Sequence, residues 1–354
     1  MTPDAGPPTP LPPGTSCRAV IDVGTNSVKL LVARVNGTLV EPLVERGIQT
    51  RLGEGFFETR RLRPEAIERT ATTVAALHEE ALAHCPNRLR ILATAAARES
   101  LNRQDLLEAL HRRVGTEVEV ISGELEAELA FRGVCSHPRL ANTPLLVTDV
   151  GGGSTEFIVG QAGQRTLARS FPLGAVRLFE RLRPPESPTP DDLRHCRSAV
   201  DAFLLTQVLP CLDPLGSRQR PEDASPDPPG PASPGPSASR TDRRSPFANR
   251  HSLRYVGVGG TAVILARIAA GMTDYDRERI EATELSAASL TELTERLWFL
   301  SLPQRRQVTG LPPERADIIL TGIAIYEGIV RVFGLSGMQP CTRGLRFAAL
   351  MDPA

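Results

Sequence analysis

One repeat constrains the fold of this chain more than any other feature. The segment Val20-Ile21-Asp22-Val23-Gly24-Thr25-Asn26-Ser27-Val28-Lys29 lines up with Val147-Thr148-Asp149-Val150-Gly151-Gly152-Gly153-Ser154-Thr155-Glu156, and Asp, Val, Gly and Ser recur in register 127 residues apart. Each copy reads as an apolar strand, a glycine-containing bend and a second strand, which is a β-hairpin. Such a copy at long range predicts two related lobes that face one another.

The remaining pattern agrees with two lobes. At ~150 residues per domain, a chain of 354 residues is long for one domain and short for three. Hydrophobic residues make up 41% and charged residues 23%, which excludes a wholly disordered or collagen-like chain. β-branched runs predict strands at Ala19–Val23, Val28–Val35, Leu89–Ala93, Glu117–Ile121, Leu145–Val150, Glu156–Val159 and Leu253–Val258. Helical periodicity is read at Pro64–His84, Arg103–Arg113, Gly123–Gly133, Gly174–Leu182, Asp191–Cys211, Gly260–Ile268, Ser286–Leu300 and Pro313–Phe333. This is an α/β layout. It divides into an N-terminal lobe at 16–138, a C-terminal lobe at 139–340 and a final segment, 341–354, packing back on the lobes. Residues 1–15 form a proline-rich tail, and 213–250, with nine prolines, form an insertion whose removal is expected to be tolerated; neither has the apolar content to offset ordering.

The composition narrows the partners. The formal net charge is zero, and of 41 basic residues only Lys29 is a lysine, a bias that fits GC-rich coding better than a nucleic-acid surface. No nucleic-acid partner is expected. The six cysteines show no Cys-x-x-Cys and no paired Cys/His spacing, so they read as free thiols in a reducing compartment. No signal-peptide pattern and no run of ~18 uncharged apolar residues is present, so a cytoplasmic protein without a membrane partner is expected.

The chemistry is read from the bends. Glycine tolerates the positive φ that turns successive N–H groups into one concavity, an anion site. Gly24, Thr25, Asn26 and Ser27 in one bend, and Gly151, Gly152, Gly153, Ser154 and Thr155 in the other, are candidate phosphate ligands. Ordinary hairpin turns use the same residue types, but the in-register pairing favours a shared site. Asp22 and Asp149 end buried strands beside that site, where an unneutralised carboxylate would repel phosphate. A hard cation, Mg²⁺, resolves the conflict, with Asp22, Asp149 and Glu156 as candidate ligands. Gly259 and Gly260 follow a strand and open a helix, a third place for an anion.

At this point the chain resembles a known family. The runs 22–31 (DVGTNSVKLL), 51–55 (RLGEG), 93–99 (ATAAARE), 121–127 (ISGELEA), 149–156 (DVGGGSTE), 173–177 (LGAVR), 258–261 (VGGT) and 310–317 (GLPPERAD) occur in the order of the exopolyphosphatase/guanosine pentaphosphate phosphatase family, over nearly all of 17–350. The resemblance implies two ribonuclease-H-like lobes of the actin/Hsp70/sugar-kinase superfamily, with a cleft between them, in the short form of the family. It implies Mg²⁺-dependent hydrolysis of a terminal phosphoanhydride, with inorganic polyphosphate or pppGpp as substrate, and commonly a homodimer. The catalytic glutamate maps to Glu126. Leu125 and Glu128 depart from the pattern, and Glu128 is expected to weaken attraction for a polyanion near the entrance.

Glu126 fits a base that orients water. It flanks the Leu125/Leu129 stripe of its helix, where partial desolvation raises a carboxyl pKa. Taken alone, a first-turn glutamate also reads as a helix-capping acid. Arg98 follows a strand and a small-residue turn, a place from which a guanidinium reaches phosphate. Glu314 and Asp317 read as charge pairing at a helix N-terminus. A phosphotransferase or a non-catalytic alarmone or polyphosphate sensor on the same fold remains an alternative.

Overall fold

The structure is a computed structural model that describes residues 14–212 and 252–352. The proline-rich insertion and most of the N-terminal tail lie outside these residues. Two sheets carry the molecule. The first runs β3(Leu39–Gln49)-β2(Ser27–Asn36)-β1(Ser16–Val23)-β4(Arg88–Ala93)-β5(Val118–Val120). The second runs β10(Leu285–Ser286)-β11(Gly337–Pro340)-β9(Arg254–Val258)-β6(Leu145–Val150)-β7(Thr155–Gln161)-β8(Gln164–Phe171). Without the two-residue edge strand β10, the second order repeats the first: three antiparallel strands, then two parallel ones joined through helices. The repeat thus extends from a hairpin to a whole sheet. This is the expected α/β fold, two ribonuclease-H-like lobes built on the same strand order.

The central strands β1 and β6 are buried along most of their length because helices cover both faces of each sheet. On the first sheet, helices Pro64–Leu82 and Arg103–Val114 pack on one side. Its other side meets Leu129 of helix Gly123–Cys135 and the final helix, Leu345–Met351. On the second sheet, a large core gathers helices Pro190–Phe203, Gly259–Ala269, Ala287–Trp298 and Ile319–Phe333. The opposite face takes Ala127, Ala130, Phe131 and Val134, again from Gly123–Cys135. One helix therefore belongs to both cores, and its first turn opens at the seam between the lobes. Asp352, at the end of the final helix, pairs with Arg90 of β4 at 3.2 Å and with Arg132 of helix Gly123–Cys135 at 2.6 Å.

The late helix departs from the sequence reading. Pro313–Arg315 is a separate 3₁₀ turn, and the α-helix begins only at Ile319. Two consecutive prolines fit an isolated turn better than the first turn of a long helix, since the second restricts the residue before it to extended backbone. Pro312 has φ −60° and ψ 128°, as that rule requires. Strands β3 and β8 do not stand out in the sequence, because they are polar edge strands with exposed charged residues.

Candidate active site

The two glycine hairpins meet at the seam. Each closes with the same hydrogen bond, Gly24 N–H to Ser27 O at 3.0 Å and Gly151 N–H to Ser154 O at 2.9 Å. A Cβ on Gly152 would lie 3.0 Å from Thr25 Cβ, and one on Gly153 would lie 3.0 Å from Thr25 Oγ1, so the second hairpin rests directly on the first. Their glycines answer to this crowding. None of Gly24, Gly151, Gly152 and Gly153 has positive φ, contrary to the expected reason for glycine here. Positive φ belongs instead to Gly259, at 88°, where a Cβ would fall 2.3 Å from Asp149 Oδ1.

Beyond these two closing bonds, several carbonyls of the bends are occupied and five of the amides are not. Ala175 N–H donates to Gly151 O, and Val176 and Arg177 N–H donate to Gly152 O, at 2.9 to 3.0 Å. Thr50 and Arg51 N–H close on Asn26 O, and Gly53 N–H closes on Thr25 O at 2.7 Å. Among the described residues, no protein acceptor takes the N–H groups of Thr25, Asn26, Gly152, Gly153 or Ser154. Asn26 Nδ2 is buried without a partner. The helix opening at Gly259 has no side-chain cap, and Gly260 and Thr261 face the same cleft. Unpaired amides from three elements therefore converge, which is the makeup of a polyanion site.

The cleft also holds carboxylates. Asp22 sits across β1/β2 from Lys29, with Oδ2 3.9 Å from Nζ. Its twin Asp149 sits across β6/β7 from Glu156. Glu126 rises from the shared helix, whose N-cap is Ser122: its Oγ accepts from Leu125 N–H at 3.1 Å. The third helical position is Leu125, and the Glu126 carboxylate meets Arg98 instead of the Ser122 N–H, so Glu126 closes no capping box. Burial pushes the Glu126 carboxyl up to about 7; Arg98 opposes the rise, while Asp149 and Asp22 add to it. Burial likewise raises Asp149, and raises Glu156 well above the usual carboxylate range, with Glu126 and Asp149 adding to the latter.

The other candidates fall in two groups. Arg98 Nη1 donates to Glu126 Oε2 at 2.9 Å and to Ile121 O at 3.0 Å, so it fixes the glutamate. Glu156 is buried behind the hairpin, where Ser154 and Ser170 hydroxyls donate to its Oε1 at 2.8 and 2.7 Å. Thr155 donates its hydroxyl to Leu173 O and does not line the cleft. Glu128 pairs with Arg165 at 3.0 Å and does not line the cleft either, so its expected effect at the entrance has no structural basis. Asp317 makes an interlobe ion pair with Arg51 at 2.7 Å through one carboxylate oxygen, and with the other it accepts from Ile318 N–H at 2.9 Å, at the N-cap of helix Ile319–Phe333, as expected of an acid at a helix start.

Among the described residues, no group of three or more His, Cys, Asp or Glu side chains forms a metal cage. Asp22 and Asp149 still fit a Mg²⁺ that keeps its waters and binds through one or two carboxylates plus phosphate oxygens. Both line the cleft, and no hydrogen-bond donor of the described residues reaches the Asp149 carboxylate. Glu156, with one oxygen committed to two hydroxyls, lies outside that pair.

Sequence reasoning missed Arg315. The 3₁₀ turn carries it into the cleft, where Nη2 donates to Ser27 Oγ at 2.5 Å and burial lowers its pKa to about 10. No carboxylate of the described residues pairs with it. A half-buried guanidinium with Glu314 and Asp317 nearby but no carboxylate in contact favours an anion in the cleft. Its signal lies in the 310–317 run, whose pattern alone gives Arg315 no task.

Comparison with known proteins meets this geometry. A family model described as the Ppx/GppA phosphatase family matches residues 31–216. Exopolyphosphatase 2 of Mycobacterium tuberculosis is 34% identical over 324 residues, covering 88% of this chain and 89% of that protein. The chain belongs to the Ppx/GppA phosphatase family. An exopolyphosphatase from Cytophaga hutchinsonii superposes with a TM-score of 0.76 at 24% identity, covering 94% of this chain and 96% of that one. An Aquifex aeolicus Ppx/GppA family member gives 0.70 at 24%, covering 95% and 97%. These two likenesses bear on the fold. No helix among the described residues of this Ppx/GppA phosphatase is long and apolar enough to cross a membrane.

Proposed function

We infer that the protein is an exopolyphosphatase, hydrolysing the terminal phosphoanhydride of inorganic polyphosphate to release orthophosphate. One observation carries the reading: unpaired amides of both hairpins and a buried, ion-paired Glu126 share one cleft. Phosphoryl transfer depends mainly on positioning and charge neutralisation. The hairpin N–H groups, Asn26 Nδ2 and Arg315 grip consecutive phosphates and stabilise charge on their equatorial oxygens. Glu126 accepts the proton of an attacking water, and with a pKa of about 7 it is a far stronger base than an exposed glutamate while remaining largely ionised just above neutrality. Arg98 holds that carboxylate in place. Asp22 and Asp149 would hold Mg²⁺, which when bound neutralises phosphate oxygens beside the two acids. The similarity to Exopolyphosphatase 2 supports polyphosphate as substrate.

Phosphate release by purified protein from long-chain polyphosphate, tripolyphosphate and pppGpp, each with and without Mg²⁺, tests the reading. Metal-dependent release from the polyphosphates is expected. Release from pppGpp alone would move the assignment to a guanosine pentaphosphate phosphohydrolase. Transfer to ADP without free phosphate would make it a phosphotransferase.

A further inference from the structure

The two bends are alike in their free amides and unlike in what holds them from behind. In the first, the carbonyls of Thr25 and Asn26 are held by backbone N–H groups, those of Gly53, Thr50 and Arg51. In the second, backbone N–H groups at the start of helix Ala175–Leu182 hold Gly151 O and Gly152 O. The carbonyl of Gly153 meets a charge instead: Arg177 Nε donates to it at 2.7 Å. That guanidinium is shared across the seam. Its Nη2 donates to Glu99 Oε2 of the first lobe at 2.8 Å, and its Cζ lies 4.2 Å from the centroid of the Phe57 ring. From the same helix, Glu180 accepts from Gly55 N–H at 2.6 Å. Three contacts with the first lobe therefore fix where Arg177 stands.

Peptide geometry turns this grip into an aim. A trans peptide points its C=O and the following N–H in opposite directions, and the bond between Gly153 and Ser154 is trans. Holding Gly153 O behind the bend thus directs Ser154 N–H, which no acceptor of the described residues takes, into the cleft that both residues line. A cation on the carbonyl also polarises the amide, because hydrogen bonds in a chain strengthen one another, so this N–H donates more strongly than one backed by a neutral partner. Ser154 stands close to the base as well. Its hydroxyl and that of Ser170 share Glu156 Oε1, and a Cβ on Gly123, at the start of the Glu126 helix, would fall 2.7 Å from Ser170 Cβ. Glu99, which holds Arg177, directly follows Arg98, which holds Glu126. Base and amide are mounted on one connected set of side chains.

We propose that Arg177 is a positioning residue for the reaction: through the Gly153 carbonyl it aims and strengthens the Ser154 amide toward the phosphoryl group being transferred, and Glu99 holds it there. The proposal rests on the phosphoanhydride-hydrolase reading and deepens it.

The test compares Arg177→Met, which keeps a long side chain without donors, with Arg177→Lys, which keeps a charged donor. Removing an aimed donor outright costs ~10²–10³ in rate, so weakening one should lower kcat about tenfold to a hundredfold in Arg177→Met, for long-chain polyphosphate and tripolyphosphate alike, with KM within a few-fold. Arg177→Lys should recover part of the loss. The acid limb of the pH profile should keep its wild-type position, because the Arg98–Glu126 pair is untouched. Arg183→Gln serves as the control: Arg183 pairs across the same seam with Glu58, both side chains are exposed, and neither reaches a bend, so kcat should stay near wild type. An unchanged kcat in Arg177→Met would overturn the assignment. So would an Arg177→Lys variant no better than Arg177→Met, or an acid limb moved to lower pH, the sign of a seam opened to let water reach Glu126. The Ser154 amide proton, followed by NMR in the substrate-free protein, reports on the aim without turnover. Its resonance should move in Arg177→Met while those of Thr25 and Asn26 stay in place, and an unmoved Ser154 resonance would overturn the proposal. A wild-type protein that releases phosphate from neither polyphosphate nor pppGpp would overturn the functional reading itself, whatever the NMR result.

Discussion

Replacing Arg98 with methionine removes the cation that opposes protonation of Glu126 while keeping a long aliphatic side chain in its place. The pair is close, Nη1 to Oε2 at 2.9 Å, and both groups are mostly buried, so solvent screens it little. Burial, with Asp149 and Asp22 adding to it, drives the Glu126 carboxyl upward, and with Arg98 in place it reaches about 7. An opposite charge at contact distance lowers a carboxyl pKa by ~1 to 3, so its loss lets Glu126 rise by a similar amount. Only the ionised carboxylate accepts a proton from water. At pH 7.5 the rate should therefore fall by roughly threefold to a few hundredfold and recover as pH rises, every tenfold loss corresponding to ~1.4 kcal/mol. The assay is kcat/KM for phosphate release against pH, for wild type, Arg98→Met and Arg98→Lys. The acid limb should move to higher pH in Arg98→Met and stay near wild type in Arg98→Lys. A limb that stays in place in Arg98→Met, or moves to lower pH, refutes the coupling between these groups.

Other substitutions separate the parts of the cleft. Glu126→Gln should lower kcat by at least about a hundredfold while substrate binding, measured by equilibrium dialysis, stays within a few-fold of wild type. Asp149→Asn should weaken activity and its Mg²⁺ dependence together, and a metal titration matching wild type would place the cation elsewhere. Gly259→Ala forces a side chain into positive φ and toward the Asp149 carboxylate, so urea unfolding should show a loss of ~2 kcal/mol or more, accompanied by loss of activity.

The twin hairpins were legible because their residues recur in register, and a two-lobed cleft followed from that alone. Glu126 was legible through the family resemblance; Leu125 and Leu129 placed it on the flank of its helix but left a capping role open, and the sequence could not show that this helix serves both sheets. What escaped detection depends on long-range geometry. A Cβ at 152 or 153 would crowd Thr25 of the other lobe at 3.0 Å, a contact no local pattern encodes. Glu156 and Thr155 lie in the same motif as Ser154, yet Ser170 and the Leu173 carbonyl, supplied by β8 and the segment after it, draw their side chains away from the cleft. Arg315 and the Arg51–Asp317 pair depend on a separate turn, which the apolar stripe after it made read as the opening of one long helix. The edge strands β3 and β8 are too polar to stand out as strands.

The most direct measurement is a crystal structure of Glu126→Gln with Mg²⁺ and tripolyphosphate bound. Consecutive phosphates should accept hydrogen bonds from the amides of Thr25 and Asn26 on one side and Gly152, Gly153 and Ser154 on the other, with the cation on Asp22 and Asp149 and the terminal phosphate facing residue 126. Phosphates held by one hairpin only, or a terminal phosphate turned away from residue 126, would contradict the account.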